Sequence, residues 1–225
     1  MAFEAFFEKY DRLVIFDTET TGLSYKKEQI IEFAAVVVEK TGILREYDEL
    51  ISLDPGTVIP DNIVALTHIT NEAVAQRGIS KTQLCRDIED MVAGKTLLLA
   101  YNAHFDLCFT YYLLRKHGNP RILRGKDKLD LLTVFKDRHS YPHRLANAIE
   151  VYGLSEKVVN SHRAVDDVLA TVEVMKAMER ERDDLLCYVN IFGYNPRYSA
   201  PKPPIRSVTY KEQQFDPLVP LYRLP

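Results

Sequence analysis

Three apolar runs open the chain: LVIFDTE (13–19), IIEFAAVVVEK (30–40) and ILREYDELISL (43–53). Rich in Val, Ile, Phe and Leu and separated by Gly-containing breaks, they predict three successive antiparallel strands. Pro55, Gly56 and Pro60 punctuate the next stretch. NEAVAQRG and SKTQLCRDIEDMVAG then carry helical spacing, the second headed by the N-cap candidate Ser80. A further strand is predicted at TLLLAYN (96–102), a helix over 104–117, a short strand near 128–131, helices near 131–138 and 143–152, and a long helix over 163–186. Hairpin strands followed by alternating strands and helices predict an α/β fold on a mixed sheet. Periodicity then fades. Seven of the eleven prolines fall from Asn195 onward, so 191–225 is expected as a Pro-rich, extended, basic tail behind a domain spanning 1–190, ordered against the body or a partner.

Three acidic motifs interrupt this pattern where strands end or helices begin. In FDTETTGL (16–23), Asp17 and Glu19 sit two residues apart on a strand and therefore share one face. Two carboxylates held together beside an apolar core repel each other and lose hydration unless a cation or proton joins them. Oxygen ligands without sulfur or imidazole favour Mg²⁺ or Mn²⁺ over zinc. The alternative is a strand-end turn in which Asp17 caps the chain and Glu19 faces solvent. In AYNAHFDLCF (100–109), Asp106 lies at the edge of the helical arc formed by Phe105, Cys108, Phe109, Tyr112 and Leu113. It either reaches the neighbouring strand end or is an ordinary first-turn acid.

In SHRAVDDVLATVEVMKAM (161–178), the helical period chooses between two adjacent acids. Asp167 falls inside the apolar arc that contains Val174 and Met178, whereas Asp166 falls on the opposite face with Glu173 and is expected in solvent. His162, five residues earlier, would lie too far around a helix to share a site with Asp167, so it is expected in the loop ahead of the helix. A histidine there suits a general base. His68, His104, His117, His139 and His143 are read as packed or surface side chains.

Taken in order, the three motifs resemble the DEDDh branch of the DnaQ-like 3′-5′ exonucleases, the group containing the epsilon subunit of bacterial DNA polymerase III. Asp-x-Glu-Thr-Thr-Gly is Asp17 to Gly22, Asn-x-x-Phe-Asp is Asn102 to Asp106, and His followed five residues later by Asp is His162 to Asp167. The likeness runs from about Leu13 to Leu186. Thr67 and His68 depart from it, standing where relatives often carry His-Gly or Thr-Gly. The resemblance implies a ribonuclease-H-like fold with a five-stranded mixed sheet flanked by helices. It also implies two-metal hydrolysis with Mg²⁺ or Mn²⁺, in which Asp17 contacts both ions, Glu19 and Asp167 complete the first, Asp106 holds the second, and His162 is the general base. Leu23 becomes a candidate wedge against the terminal base and Thr18 a backbone contact to the terminal sugar. Asn102 would pin the strand-to-helix turn or a substrate oxygen, and Phe105 would either stack on a base or pack in the core. The expected partner is a nucleic-acid 3′ end, DNA ahead of RNA, with a DNA polymerase as a further partner. An RNA exonuclease and a silent nucleic-acid-binding adaptor are the alternatives.

Composition bounds these readings. The chain has 225 residues, 46% hydrophobic and 27% charged, a soluble globular profile. No apolar run approaches the roughly 18–20 residues of a membrane span, and the acidic start lacks a basic leader. Three dispersed cysteines, Cys85, Cys108 and Cys187, without metal spacing, suit reduced thiols in a cytoplasmic protein. The net charge of −3 at first argues against nucleic acid. Positive charge is nonetheless gathered: six basic residues and one acid occupy 115–128, and five basic residues face two acids in 195–225. The first segment is expected either as a solvated loop or as a phosphate contact.

Overall fold

The computed structural model describes residues 3–158, 161–216 and 218–224. A single turn, α1 (Glu4–Phe7), leads into the meander β1 (Arg12–Thr20), β2 (Ile30–Glu39) and β3 (Gly42–Leu50). Short helices α2 (Asp61–Thr67) and α3 (Asn71–Arg77) precede α4 (Lys81–Met91). Then follow β4 (Thr96–Ala100), α5 (Ala103–His117), β5 (Asp127–Asp130), α6 (Leu131–Arg138), α7 (Leu145–Val151) and α8 (Ala164–Glu181). The sheet order is β3-β2-β1-β4-β5. Strand β1 pairs antiparallel with β2 and parallel with β4, so the sheet is mixed as expected and β1 is its centre.

Alternation along β1 divides the core into two. Leu13 and Ile15 face one cluster, with Leu97, Leu99, Phe135 of α6, Ile149 of α7, and Val168 and Met175 of α8. Val14 and Phe16 face the other, with Phe33, Leu98, Ile88 of α4 and Leu107 of α5. Helices on both faces bury the sheet on both sides, which is why β2 reads as an almost unbroken hydrophobic run. Ser80 caps α4 as expected, its Oγ accepting from the Gln83 amide at 3.1 Å. His68 ends α2 with a left-handed backbone, φ 59°. A glycine adopts that conformation without cost, so the Gly of the family pattern suits this position, and His68 takes the same conformation with a side chain.

Three expectations change. Helix α8 ends at Glu181 rather than near 186 because the buried Arg138 guanidinium closes its last turn. It donates to Met178 O at 2.7 Å and Arg182 O at 3.2 Å and pairs with Asp184 at 2.5 Å. The basic stretch 115–128 is less free than a solvated loop. Lys116 pairs with Asp54 at 2.8 Å, Lys126 Nζ donates to Gly94 O, and Lys128, itself buried, donates to Lys126 O.

The third change lies within the C-terminal segment: it is ordered against the body, one of its two expected arrangements, but it carries a strand pair where an extended tail was expected. Strands β6 (Ile191–Tyr194) and β7 (Thr209–Glu212) form a parallel pair. Phe192 enters the α4–α5 core and Leu221 the α6–α8 core. Polar anchors hold the rest: Gly193 N donates to Thr133 Oγ1 at 2.9 Å, the Gln213 side chain to Thr133 O at 2.7 Å, and Leu221 N to Asp137 Oδ2 at 2.8 Å. Proline density and weak periodicity concealed this, since each anchor is a single residue against a remote partner. Cys187 is exposed, whereas Cys85 and Cys108 are buried. Among the described residues no helix is long and apolar enough to cross a membrane.

Truncation after Asn190 removes both buried side chains, each worth roughly 1.5–3 kcal/mol. The shortened chain is expected to lose several kcal/mol of stability in urea denaturation; an unchanged midpoint would show the segment to be an independent tail.

Candidate metal centre

The acids of the first motif sit where β1 leaves the core. Asp17 and Glu19 project on the α8 side of the sheet, following Leu13 and Ile15, and α8 brings Asp167 to meet them from its first turn. Carboxylate oxygens of Asp17, Glu19 and Asp167 lie within 4.8 Å of one another, close enough to share one cation. The helix-face argument therefore picks out the converging acid: Asp167 is buried, while Asp166 stays partly exposed and accepts from the Ser161 hydroxyl.

Asp106 stands beside this trio rather than within it. It is buried, and its Oδ1 accepts from the Thr18 amide at 3.0 Å and the Thr18 hydroxyl at 2.7 Å. Thr18, expected to offer its backbone to a sugar, thus has its amide committed to holding Asp106. Asn102 initiates α5 with φ 73°, a left-handed position that Asn tolerates, and it is exposed on the cleft. Phe105 packs on Phe109, with ring centroids 4.8 Å apart. Leu23 is 86% exposed on a turn fixed by Thr20 Oγ1 to Gly22 O and by Thr21 Oγ1 to Glu28. His162 lies outside α8, exposed, with φ 57°, and lines the same cleft as Asp167.

Two further acids, absent from the motif reading, build the site. Glu32 on β2 is paired in register with Glu19 on β1, and like charges so placed repel. The structure relieves this by turning Glu32, fully buried, onto the start of α8. It accepts from Arg163 Nε at 2.8 Å, pairs with Arg163 Nη2, and accepts from the Ala164 amide at 2.7 Å. Glu32 so fixes the helix that delivers Asp167, and Glu19 is left for a cation. Asp130 does the same for α5: its carboxylate accepts from the amides of Asn102 and Ala103, both at 3.0 Å, and of Leu132 and Thr133. The one signal for Glu32 was a lone charge inside a doubly buried strand; Asp130 offered no motif at all.

The electrostatics are those of an anionic cluster lacking its counter-charge. Burial first, then Asp106, Glu19, Asp167 and Glu32, pushes the Asp17 carboxyl well above the usual range. Burial, Asp167 and Glu32 push Glu19 up to about 8. Burial raises Asp106 too, against the opposing pull of its Thr18 hydrogen bonds. Oxygen-only donors in a site this anionic fit a hard divalent cation.

Comparison with known proteins agrees with the family resemblance. The RNase_T exonuclease family model matches residues 14–175. The DNA polymerase III epsilon subunit of Treponema pallidum is 32% identical over 170 residues, covering 72% of this chain and 74% of that protein. The PolC-type DNA polymerase III of Clostridium perfringens is 31% identical over 192 residues, 84% of this chain, and the chain spans 12% of that polymerase. Among solved structures, Escherichia coli exonuclease I in complex with a dT13 oligonucleotide superposes with a TM-score of 0.70 at 19% identity, over 79% of this chain and 43% of that one. At that identity the likeness speaks to the fold, which is ribonuclease-H-like.

Raised carboxyl values mean that the folded, metal-free protein binds more protons than the unfolded chain between the ordinary carboxyl range and about pH 8. This contribution to stability therefore falls as pH rises through that window. Mg²⁺ or Mn²⁺ is expected to raise the melting temperature more at pH 8 than at pH 5; an equal or reversed increment would contradict the assignment. Glu32→Gln should cost about 1–3 kcal/mol by leaving Arg163 and the α8 amide poorly paired, measurable in urea denaturation.

Proposed function

This chain belongs to the RNase_T exonuclease family, within the DnaQ-like superfamily of 3′-5′ exonucleases, and we propose that the protein is a metal-dependent 3′-5′ exonuclease acting on DNA. It hydrolyses the terminal phosphodiester of single-stranded or frayed 3′ ends and releases nucleoside 5′-monophosphates. The observation that carries this reading is the convergence of Asp17, Glu19 and Asp167, with Asp106 beside them, at the end of the central strand. DNA is favoured over RNA because relatives of this chain are named as DNA polymerase III subunits. A proofreading or repair role alongside a DNA polymerase, in the cytoplasm, is part of the same proposal, and the polymerase names of these relatives support the polymerase partner.

Asp17, Glu19 and Asp167 would hold one divalent ion, and Asp17 with Asp106 a second. Bound there, Mg²⁺ or Mn²⁺ would supply the positive charge that polarises the scissile phosphate and stabilises the departing 3′-oxygen. The protein's own groups do the rest. His162, exposed on the cleft ahead of α8, accepts the proton of the attacking water. Its place in a loop lets the imidazole approach and withdraw without moving Asp167. Thr18 keeps Asp106 oriented through two hydrogen bonds. Leu23, held out on its braced turn, wedges against the terminal base, and Asn102 offers its amide to a substrate oxygen at the mouth of the cleft. Phe105 serves packing.

Asp17→Asn is expected to abolish mononucleotide release while leaving the fold intact, and retained activity would sink the assignment. His162→Ala should lower kcat by roughly 10²–10⁴ with far less effect on oligonucleotide binding. Asp167→Asn should be severe and Asp166→Asn mild. Matched DNA and RNA 3′ ends in Mg²⁺, compared by initial rate, decide the substrate: faster RNA trimming would overturn the DNA assignment.

A further inference from the structure

The cleft holding His162 and Asp167 continues well past the carboxylates, with a volume of about 1190 Å³. Small-molecule pockets run to roughly 300–1,000 Å³, so this trough has room for a polymer. The body contributes Lys136 of α6 and the loop from Tyr141 to Arg144. The C-terminal segment contributes the stretch that follows β6, including Arg197 and Tyr198, and the stretch that follows β7, including Phe215.

Two chemistries alternate along it. Tyr141, Tyr198 and Phe215 are 85%, 72% and 45% exposed, large aromatic faces that the fold leaves uncovered. Arg144 and Arg197 are exposed, Lys136 is partly so, and among the described residues none of the three is in a salt bridge. Besides Asp167, the one acid lining the trough among the described residues is Asp130, whose oxygens are occupied by backbone amides and the Thr133 hydroxyl. Bare aromatic rings stack on bases whatever their identity, and unpaired cations meet the phosphates between them. A duplex keeps its base faces stacked on each other; an unpaired strand offers them.

We propose that this trough is the track of a single-stranded nucleic acid leading to the 3′ end, and that the C-terminal segment 191–215 builds one side of it. The direction of the strand rests on the exonuclease reading above; the binding itself does not. The segment thus has a use that explains why its basic residues are held on the body by Phe192 and Gln213 rather than left free.

The test separates the two readings. Tyr141→Ala/Tyr198→Ala/Phe215→Ala and Arg144→Ala/Arg197→Ala alter exposed side chains, and a melting curve checks that each protein folds. Binding of fluorescein-labelled dT12 and dT2 is measured with a chelator present, and hydrolysis of both oligonucleotides in Mg²⁺. Each variant is expected to bind dT12 at least about tenfold more weakly while hydrolysing dT2 within twofold of the parent. The arginine variant should also lower the slope of log affinity against log salt by about 1.4, or roughly 0.7 per lost charge. Unchanged dT12 binding, or equal losses on dT2 and dT12, would overturn the track. If neither oligonucleotide is hydrolysed by the parent while dT12 binding still depends on these residues, the exonuclease reading falls and the track stands.

Discussion

Everything in this molecule answers to the repulsion among carboxylates gathered at the end of β1. Asp17 and Glu19 leave the core on one face of the central strand, and Asp167 and Asp106 arrive from helices on opposite sides of the sheet. Burial strips them of water and proximity sets them against each other, so Asp17, Glu19 and Asp106 are driven toward their protonated forms. Such an arrangement is tolerable when a divalent cation or a proton fills it. The surrounding fold is built to keep these groups from relaxing away from one another.

That restraint is supplied by acids of a second kind. Glu32 and Asp130 are buried more fully than Asp17 and Glu19, but backbone amides and Arg163 satisfy them. Each splices a helix start to the sheet: Glu32 holds α8, which carries Asp167, and Asp130 holds α5, which carries Asp106. Charge-assisted hydrogen bonds to helix N-termini are the strong, directional kind. Two buried carboxylates thus set the positions of two others. The bulge between β1 and β2 just beyond Glu19 completes the local geometry by turning the strand toward the braced Leu23 turn.

Much of this was legible in the chain because local rules governed it. Period-two alternation placed Asp17 and Glu19 on one face, and the 3.6-residue period distinguished Asp167 from Asp166. The five strands followed from apolar runs and their breaks. What escaped were long-range partners. Glu32 reads as an isolated charge in a hydrophobic strand until Arg163, 131 residues later, comes into contact with it. Asp130 reads as part of a short strand, and nothing in the periodicity marks Arg138 as the residue that closes α8. The basic stretch 115–128 is conspicuous by composition, yet several of its cations are taken up by partners in the body, Lys116 by Asp54 and Lys128 by main-chain carbonyls. The C-terminal segment failed the periodicity test because single anchors such as Phe192, Gln213 and Leu221 carry no pattern.

The net charge of −3 is therefore a poor guide to what the surface attracts. The site carboxylates concentrate negative charge where cations would offset it, and much of the remaining positive charge is spent internally on carbonyls and acids. Lys128, Arg138 and Arg163 are examples. What is left unpaired matters more than the sum. Lys136, Arg144 and Arg197 remain so in the trough that Asp167 also lines, and a local group of cations attracts phosphate even where the net charge of the whole molecule is negative. The C-terminal segment carries five basic residues against two acids in 195–225, and by folding back on the body it sets one of them, Arg197, beside Lys136 and Arg144 at the cleft.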